Sequence, residues 1–334
     1  MNPTRIPNLF IVGAMKSGTT SLFKYISSHP DIFPCDKKEP HFFSKHYGSA
    51  GALNTYLARF KGAKAQKYLL EASTSYTKRP VYEGVAERIH ELSPDARIIY
   101  LVRDPFERII SHYRHSVARM PESRTLTDLV KTDVEYLSYS YYAQQVKPFL
   151  SIFGRENVYL CTFESLTGDP RRCCEKLFRW LDIDSAHVGT VYKPAYNRSR
   201  DQLCSLDESR FWGRQALRCK RSRLARHIPA RWRERRFTRR IFPYKTARDI
   251  GSESLHRDMI PARELLSPLL SSWTRELQKI FPLTFEQWES AHTGQNPAYC
   301  IPPELAPIVN EIQSRMRTTG PISSEDEIEN SVHQ

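Results

Sequence analysis

Two groups of residues in this chain have the types and spacing to hold a phosphate. The first is "GAMKSGTTS", Gly13 to Ser21. Lys16 can set an ammonium beside an anion, while Thr19, Thr20 and the amides of a turn through Gly13 and Gly18 donate hydrogen bonds. The second is "LVRDPFERIISHY", Leu101 to Tyr113, in which Ser111 follows Arg103 by about two helical turns. An arginine fork and a hydroxyl together suit a second phosphate, remote from the first. Each group has a plainer reading. Lys16 can also be read as a solvated side chain on an ordinary glycine turn, and "RDP" as a structural Arg–Asp pair. A nucleotide triphosphate loop is a further alternative, with Asp104 as a magnesium carboxylate, although the Walker order places the lysine after the second glycine. Here Lys16 precedes Gly18.

These groups need elements to aim them. Apolar runs at Leu9 to Val12, Tyr68 to Leu70, Ile98 to Val102 and Asn157 to Phe163 read as short buried strands. Helical spacing follows at Ser21 to Ser27, Val81 to Leu92, the segment led by Pro105, Tyr139 to Phe153, Cys173 to Leu181 and Ala262 to Ile280. Strands alternating with helices predict an α/β protein with a central parallel sheet flanked by helices. In such sheets ligands bind at the carboxyl ends of the strands. Three loops then qualify: Gly13–Thr20, Glu71–Tyr76 and Arg103–Arg108. His29 to Phe43, with three prolines, reads as an extended loop.

The chain has 334 residues and a formal net charge of +13, which favours an acidic ligand or partner. Thirteen Lys and Arg lie between Arg210 and Arg240 against Glu234 alone, so the basicity is local. Interleaved Phe211, Trp212, Leu217, Leu224, Ile228, Trp232, Phe237 and Ile241 give that segment an apolar face. It reads as a basic helical insertion, about 200–250, that docks an acidic glycan or a membrane surface, or as a solvated lid. Nucleic acid is not expected, because no recognition motif accompanies the charge. No run reaches the roughly 18 apolar residues of a membrane span, and no leader pattern opens the chain. Seven scattered cysteines without a CxxC point to free thiols in a reducing compartment, with the cytoplasm as the expected location. No metal-ligand spacing is present.

Taken together, "GAMKSGTTSL" and "LVRDPFERIISHY" resemble the 5′-phosphosulfate and 3′-phosphate motifs of the sulfotransferases that use 3′-phosphoadenosine 5′-phosphosulfate (PAPS). "KKEPHFF", Lys37 to Phe43, is similar to the E-x-H-F-F segment of the heparan-sulfate-type carbohydrate sulfotransferases and their bacterial relatives. The resemblance implies a three-layer P-loop-like fold over about residues 1–290, with 291–334 a partly disordered extension. It implies sulfuryl transfer from PAPS to a hydroxyl or amine of a glycan, glycolipid or small hydroxylated molecule, releasing adenosine 3′,5′-bisphosphate. Glu39 is then the proton acceptor, Lys16 the cation on the bridging oxygen, and His41 a contact to acceptor or sulfuryl oxygen, or a loop cap. Lys16, Ser17, Gly18, Thr19, Thr20 and Ser21 would hold the 5′-phosphate, and Arg103 and Ser111 the 3′-phosphate. Arg198, in "YNRSR", is a further cofactor candidate where relatives carry a late K-G-R-x-H-P loop. Relatives read E-K-[ST]-x-x-Y where this chain has Glu71, Ala72, Ser73, Thr74, Ser75 and Tyr76, so their lysine is missing. The late disulfide and anchor of the secreted enzymes are not evident, as in a bacterial cytoplasmic member. A P-loop kinase, and a non-catalytic protein binding an acidic glycan or membrane, are the rivals.

Overall fold

In the computed structural model, residues 5–119, 124–187, 203–206, 244–246, 253–283, 285, 288 and 301–317 are described. The centre is a five-stranded sheet with every pair parallel, in the order β2-β3-β1-β4-β5. The strands are β1 (Leu9–Gly13), β2 (Ile32–Pro34), β3 (Tyr68–Ala72), β4 (Arg97–Val102) and β5 (Val158–Thr162). All five residues of β1 and of β3 are buried, as expected of parallel strands covered on both faces.

Side-chain alternation sorts the strands into two cores. Phe10, Val12, Ile98, Tyr100 and Val102 enter one, covered by α3 (Val85–Leu92) and α7 (Tyr142–Phe153). Leu9, Ile11, Ile99 and Leu101 enter the other, beneath α1 (Thr19–Ile26) and α9 (Pro170–Trp180). A third, all-helical core joins α4 (Pro105–Arg119), α5 (Leu126–Thr132) and α6 (Val134–Ser138) to α10 (Glu253–Ile280) and α11 (Ala306–Arg317). Trp273 of α10 is 2% exposed and stacks on Tyr141 at 4.3 Å. Two short helices, α2 (Ala52–Leu57) and α8 (Phe163–Gly168), complete the set named here.

The α/β layering matches the sequence reading, with four differences. The loop read over His29 to Phe43 contains β2, a three-residue edge strand. α3 begins at Val85 rather than Val81, because Gly84 takes a left-handed φ of 70° and caps it. The segment after Trp288 yields α11, whose Ile308, Val309 and Ile312 are buried in the helical core. Within the 200–250 segment read as a helical insertion, the described residues form an antiparallel pair, β6 (Leu203–Leu206) with β7 (Tyr244–Thr246). The arginine-rich residues 210–240, Arg198 and the acidic tail from Ser323 lie outside the described residues. Among the described residues, no helix is long and apolar enough to cross a membrane.

Candidate active site

Both phosphate-type motifs and the Glu39 segment come together at the carboxyl ends of β3, β1 and β4, with the β1 loop between the other two. β1 ends at Gly13, where any Cβ would lie 1.9 Å from Thr77 Oγ1. That hydroxyl donates to the Val12 carbonyl at 2.9 Å, locking the turn to the chain that follows β3. The turn itself needs two left-handed residues, Lys16 at φ 72° and Gly18 at φ 91°. A Cβ on Gly18 would meet the Phe163 ring at 2.8 Å. Gly18 caps α1 without a side-chain hydrogen bond, and the first turn holds no acidic residue. The helix N-terminus is therefore open to an anion.

Thr19 and Ser21 are buried, Lys16 and Thr20 half-buried. Ser17 is fully buried, yet its Oγ has no hydrogen-bond partner among the described residues. A buried hydroxyl left unpaired costs about 1–3 kcal/mol, so a ligand oxygen is the natural complement. The loop fits a phosphate group.

On the β4 side, Arg103 ends the strand and Ser111 is buried in α4. The Arg103 guanidinium pairs with Glu107 at 3.0 Å and lies over the Phe163 ring at 4.7 Å. Its carbonyl accepts from the Tyr142 hydroxyl at 2.8 Å. Asp104 caps α4 by accepting from the Glu107 amide at 3.0 Å. The described ion pair of Arg103 thus goes to Glu107, and the Asp104 carboxylate has a helix-capping role. Arg108, one turn on, is fully buried; it donates to Ser140 Oγ and the Tyr136 carbonyl, both at 2.6 Å.

On the β3 side, the Glu39 amide donates to the Ala72 carbonyl at 2.9 Å, fixing Glu39 to the strand end. Glu39 Oε2 accepts from the Thr74 amide at 2.9 Å and the Thr74 hydroxyl at 3.3 Å. Its Oε1 pairs with Lys38. His41 Nδ1 lies 3.7 Å from Glu39 Oε2 and 2.8 Å from Ser75 Oγ, and its amide donates to Ser73 Oγ at 3.1 Å. Both Glu39 and His41 hold left-handed backbone, φ 62° and 55°, at the two ends of the Pro40 turn. Burial keeps the His41 imidazole below its ordinary range; the Glu39 charge opposes this, and Lys45, Lys78 and Lys38 add to it.

Several participants were given no role of their own by the sequence reading. Phe163 lies beneath both Gly18 and Arg103, one residue past β5. Thr74 and Ser75 hold Glu39 and His41, although the second candidate loop did include both. Glu71 is fully buried, with Oε2 accepting from the Tyr56 and Tyr76 hydroxyls, each at 2.8 Å. Burial pushes its carboxyl up to about 7. Ala72, at the position of the relatives' lysine, is buried in the sheet. Lys78 instead brings an ammonium toward this side: it lies over the Tyr139 ring at 5.3 Å, within electrostatic reach of Glu39 and Glu135.

Comparison with known proteins points to one family. The chain is 29% identical over 177 residues to heparan sulfate glucosamine 3-O-sulfotransferase 6 of Mus musculus, covering 50% of this chain and 49% of that protein. It is 33% identical over 123 residues to the membrane-associated sulfotransferase kil1 of Dictyostelium discoideum, covering 36% and 25%. The chain thus spans half or less of the length of these curated relatives. A solved sulfotransferase from Alicyclobacillus acidocaldarius superposes with a TM-score of 0.50 at 32% identity, over 57% of this chain and 87% of that one. The family model described as "Sulfotransferase domain" matches residues 7–216, more than half of the chain. With the phosphate loop, the second motif and the Glu39 segment all inside that span, the chain belongs to the sulfotransferase family.

Proposed function

We propose that the chain transfers the sulfuryl group of PAPS to a hydroxyl or amine of a carbohydrate or glycoconjugate acceptor, releasing adenosine 3′,5′-bisphosphate. The observation that carries this reading is one layout: a phosphate loop with an unpaired buried Ser17, flanked by Arg103 and Ser111 on one side and by Glu39 and His41 on the other.

Lys16, Ser17, Gly18, Thr19, Thr20 and Ser21 hold the 5′-phosphate at the N-terminus of α1, where the helix dipole and turn amides favour negative charge. Arg103 leaves Glu107 to hold the 3′-phosphate with Ser111. A dianion is a stronger partner than a half-exposed surface carboxylate. Phe163 keeps the guanidinium level with the loop. Lys16 neutralises the charge that develops on the departing phosphate, an interaction strongest in the transition state. Glu39 and His41 form the proton-accepting pair on the acceptor's side; the resemblance gives the base role to Glu39.

A carbohydrate acceptor is supported by the E-P-H-F-F segment and by the names of the curated relatives. A cytoplasmic location in a bacterium, with residues 210–240 resting on an anionic membrane face or an acidic glycan, fits the scattered cysteines and the local charge. The test is to incubate the full chain with PAPS labelled at sulfur and a panel of heparan-type oligosaccharides, without magnesium. Labelled oligosaccharide formed together with bisphosphate supports the reading. Magnesium-dependent consumption of ATP, with no labelled product, would replace it with a kinase or NTPase.

A further inference from the structure

The side chains around His41 determine which ring nitrogen carries its proton. His41 Nδ1 is 2.8 Å from Ser75 Oγ, Ser75 Oγ is 2.7 Å from Ser44 Oγ, and Ser44 Oγ reaches the His41 carbonyl at 3.3 Å. The carbonyl can only accept, so satisfying all three contacts fixes every proton. Ser44 donates to the carbonyl, Ser75 donates to Ser44, and His41 Nδ1–H donates to Ser75. The opposite order, with Ser75 donating to Nδ1, leaves the Ser44–carbonyl contact unmade. It also sets the Nδ1 lone pair beside Glu39 Oε2, 3.7 Å away, an oxygen that likewise can only accept and that already takes the Thr74 amide.

We infer that the Ser44–Ser75 relay holds His41 as the Nδ1–H tautomer, so that its bare Nε2 is the atom of the Glu39–His41 pair that receives the acceptor's proton. Ser75 is thereby a positioning residue, and Glu39 carries the counter-charge. The inference rests on the sulfotransferase reading for its chemistry, but not for its geometry. In the transfer step, the acceptor O–H (or N–H) bond breaks and its proton goes to Nε2. The freed electron pair forms the new bond to sulfur. The bond from sulfur to the 5′-phosphate oxygen breaks, and its electrons leave on the bisphosphate beside Lys16. The imidazolium that remains keeps its Nδ1–H on Ser75 and faces the Glu39 carboxylate.

The charged groups facing the ring are Glu39, Lys38, Lys45 and Lys78. Burial first, and then the three lysines, lower the ring's hold on a second proton against the pull of Glu39. Both oxygens of Glu39 are already engaged by Thr74 and Lys38, whereas Nε2 has no partner among the described residues. This difference selects the imidazole over the carboxylate as the landing site.

The test is a two-bond proton–nitrogen correlation spectrum of the full chain labelled at histidine nitrogen, with His41 assigned by its loss in His41→Asn. The expected result is a protonated Nδ1 and an unprotonated Nε2 at pH 7. In Ser75→Ala the two tautomers should mix, and in Ser75→Thr, which keeps the hydroxyl, the wild-type pattern should return. A wild-type spectrum with Nε2 protonated overturns the inference while leaving the sulfotransferase reading intact. Turnover supplies the second readout, measured as bisphosphate release from PAPS with water or a heparan-type oligosaccharide as acceptor. Imidazole in solution should restore at least tenfold to His41→Gly. Failure of that rescue, with Glu39→Gln rescued by formate instead, would return the proton to Glu39. Absence of any release from PAPS by the wild type would count against the family's activity here, and the spectrum would still decide the tautomer.

Discussion

Glu71 should make the stability of this protein fall as pH rises through neutrality, and Glu71→Gln should remove that dependence. The carboxyl is completely buried at the end of β3, and burial lifts it from its ordinary 4.5 to about 7. In the unfolded chain the group ionises near 4.5; in the folded chain it keeps its proton until about 7. Between these values the folded state holds the extra proton, so stability is fully present below 4.5 and is lost as pH rises through 7. The gap, at about 1.4 kcal/mol for each pH unit, amounts to roughly 3 kcal/mol, most of it lost between pH 5 and 8. Glutamine keeps a carbonyl to accept from the Tyr56 and Tyr76 hydroxyls but cannot ionise. The assay is urea unfolding of wild type and Glu71→Gln at pH 5, 6, 7 and 8. The wild type should lose roughly 2–3 kcal/mol relative to the variant across that range. A difference that stays flat, or one that moves in favour of the wild type at high pH, would show that the hydrogen bonds to Glu71 outweigh its burial, and the reasoning would fail.

Other outcomes follow from the same geometry. Glu39→Gln should lower turnover by about 10²–10⁴-fold while bisphosphate affinity, read by titration calorimetry, stays within a few-fold. Arg103→Ala should weaken adenosine 3′,5′-bisphosphate by about 1.5–3 kcal/mol, the worth of hydrogen bonds to a charged group. It should spare a 5′-phosphosulfate ligand lacking the 3′-phosphate, and equal losses for both would remove Arg103 from that role. Glu107→Gln frees the guanidinium of its 3.0 Å partner and should tighten the bisphosphate about twofold. Gly18→Ala strains a residue at φ 91° and drives a methyl into Phe163; a loss of about 1–2 kcal/mol in unfolding free energy is expected, with weaker nucleotide binding.

The sequence made the scaffold legible where the signal is local. β1 and β4 are continuous apolar runs, and Gly13, Lys16 and Gly18 announce a phosphate turn within a few residues of a strand end. The contacts that make the site are not local. Glu39 depends on Ala72 and Thr74, and His41 depends on Ser75, pairs more than thirty residues apart that no periodicity encodes. Phe163 looks like the last apolar residue of a strand, and only the fold places its ring beneath Gly18 and Arg103. β2 has three residues and ends at a proline, too short for an alternation pattern. α11 did carry a signal: Ile308, Val309 and Ile312 have helical spacing, obscured by the prolines that precede them. Ala72 is another lesson, since the fold buries the position of the relatives' lysine and brings Lys78 to the Glu39 side instead.

The most direct test of the proposed activity is a calorimetric titration of the full chain with adenosine 3′,5′-bisphosphate, run beside ADP in the absence of magnesium. Tight binding of the bisphosphate and none of ADP is the predicted result, because Arg103 and Ser111 then meet a 3′-phosphate that ADP lacks. ADP binding as well as or better than the bisphosphate would contradict it, and would return the Gly13–Thr20 loop to an ATP-type ligand.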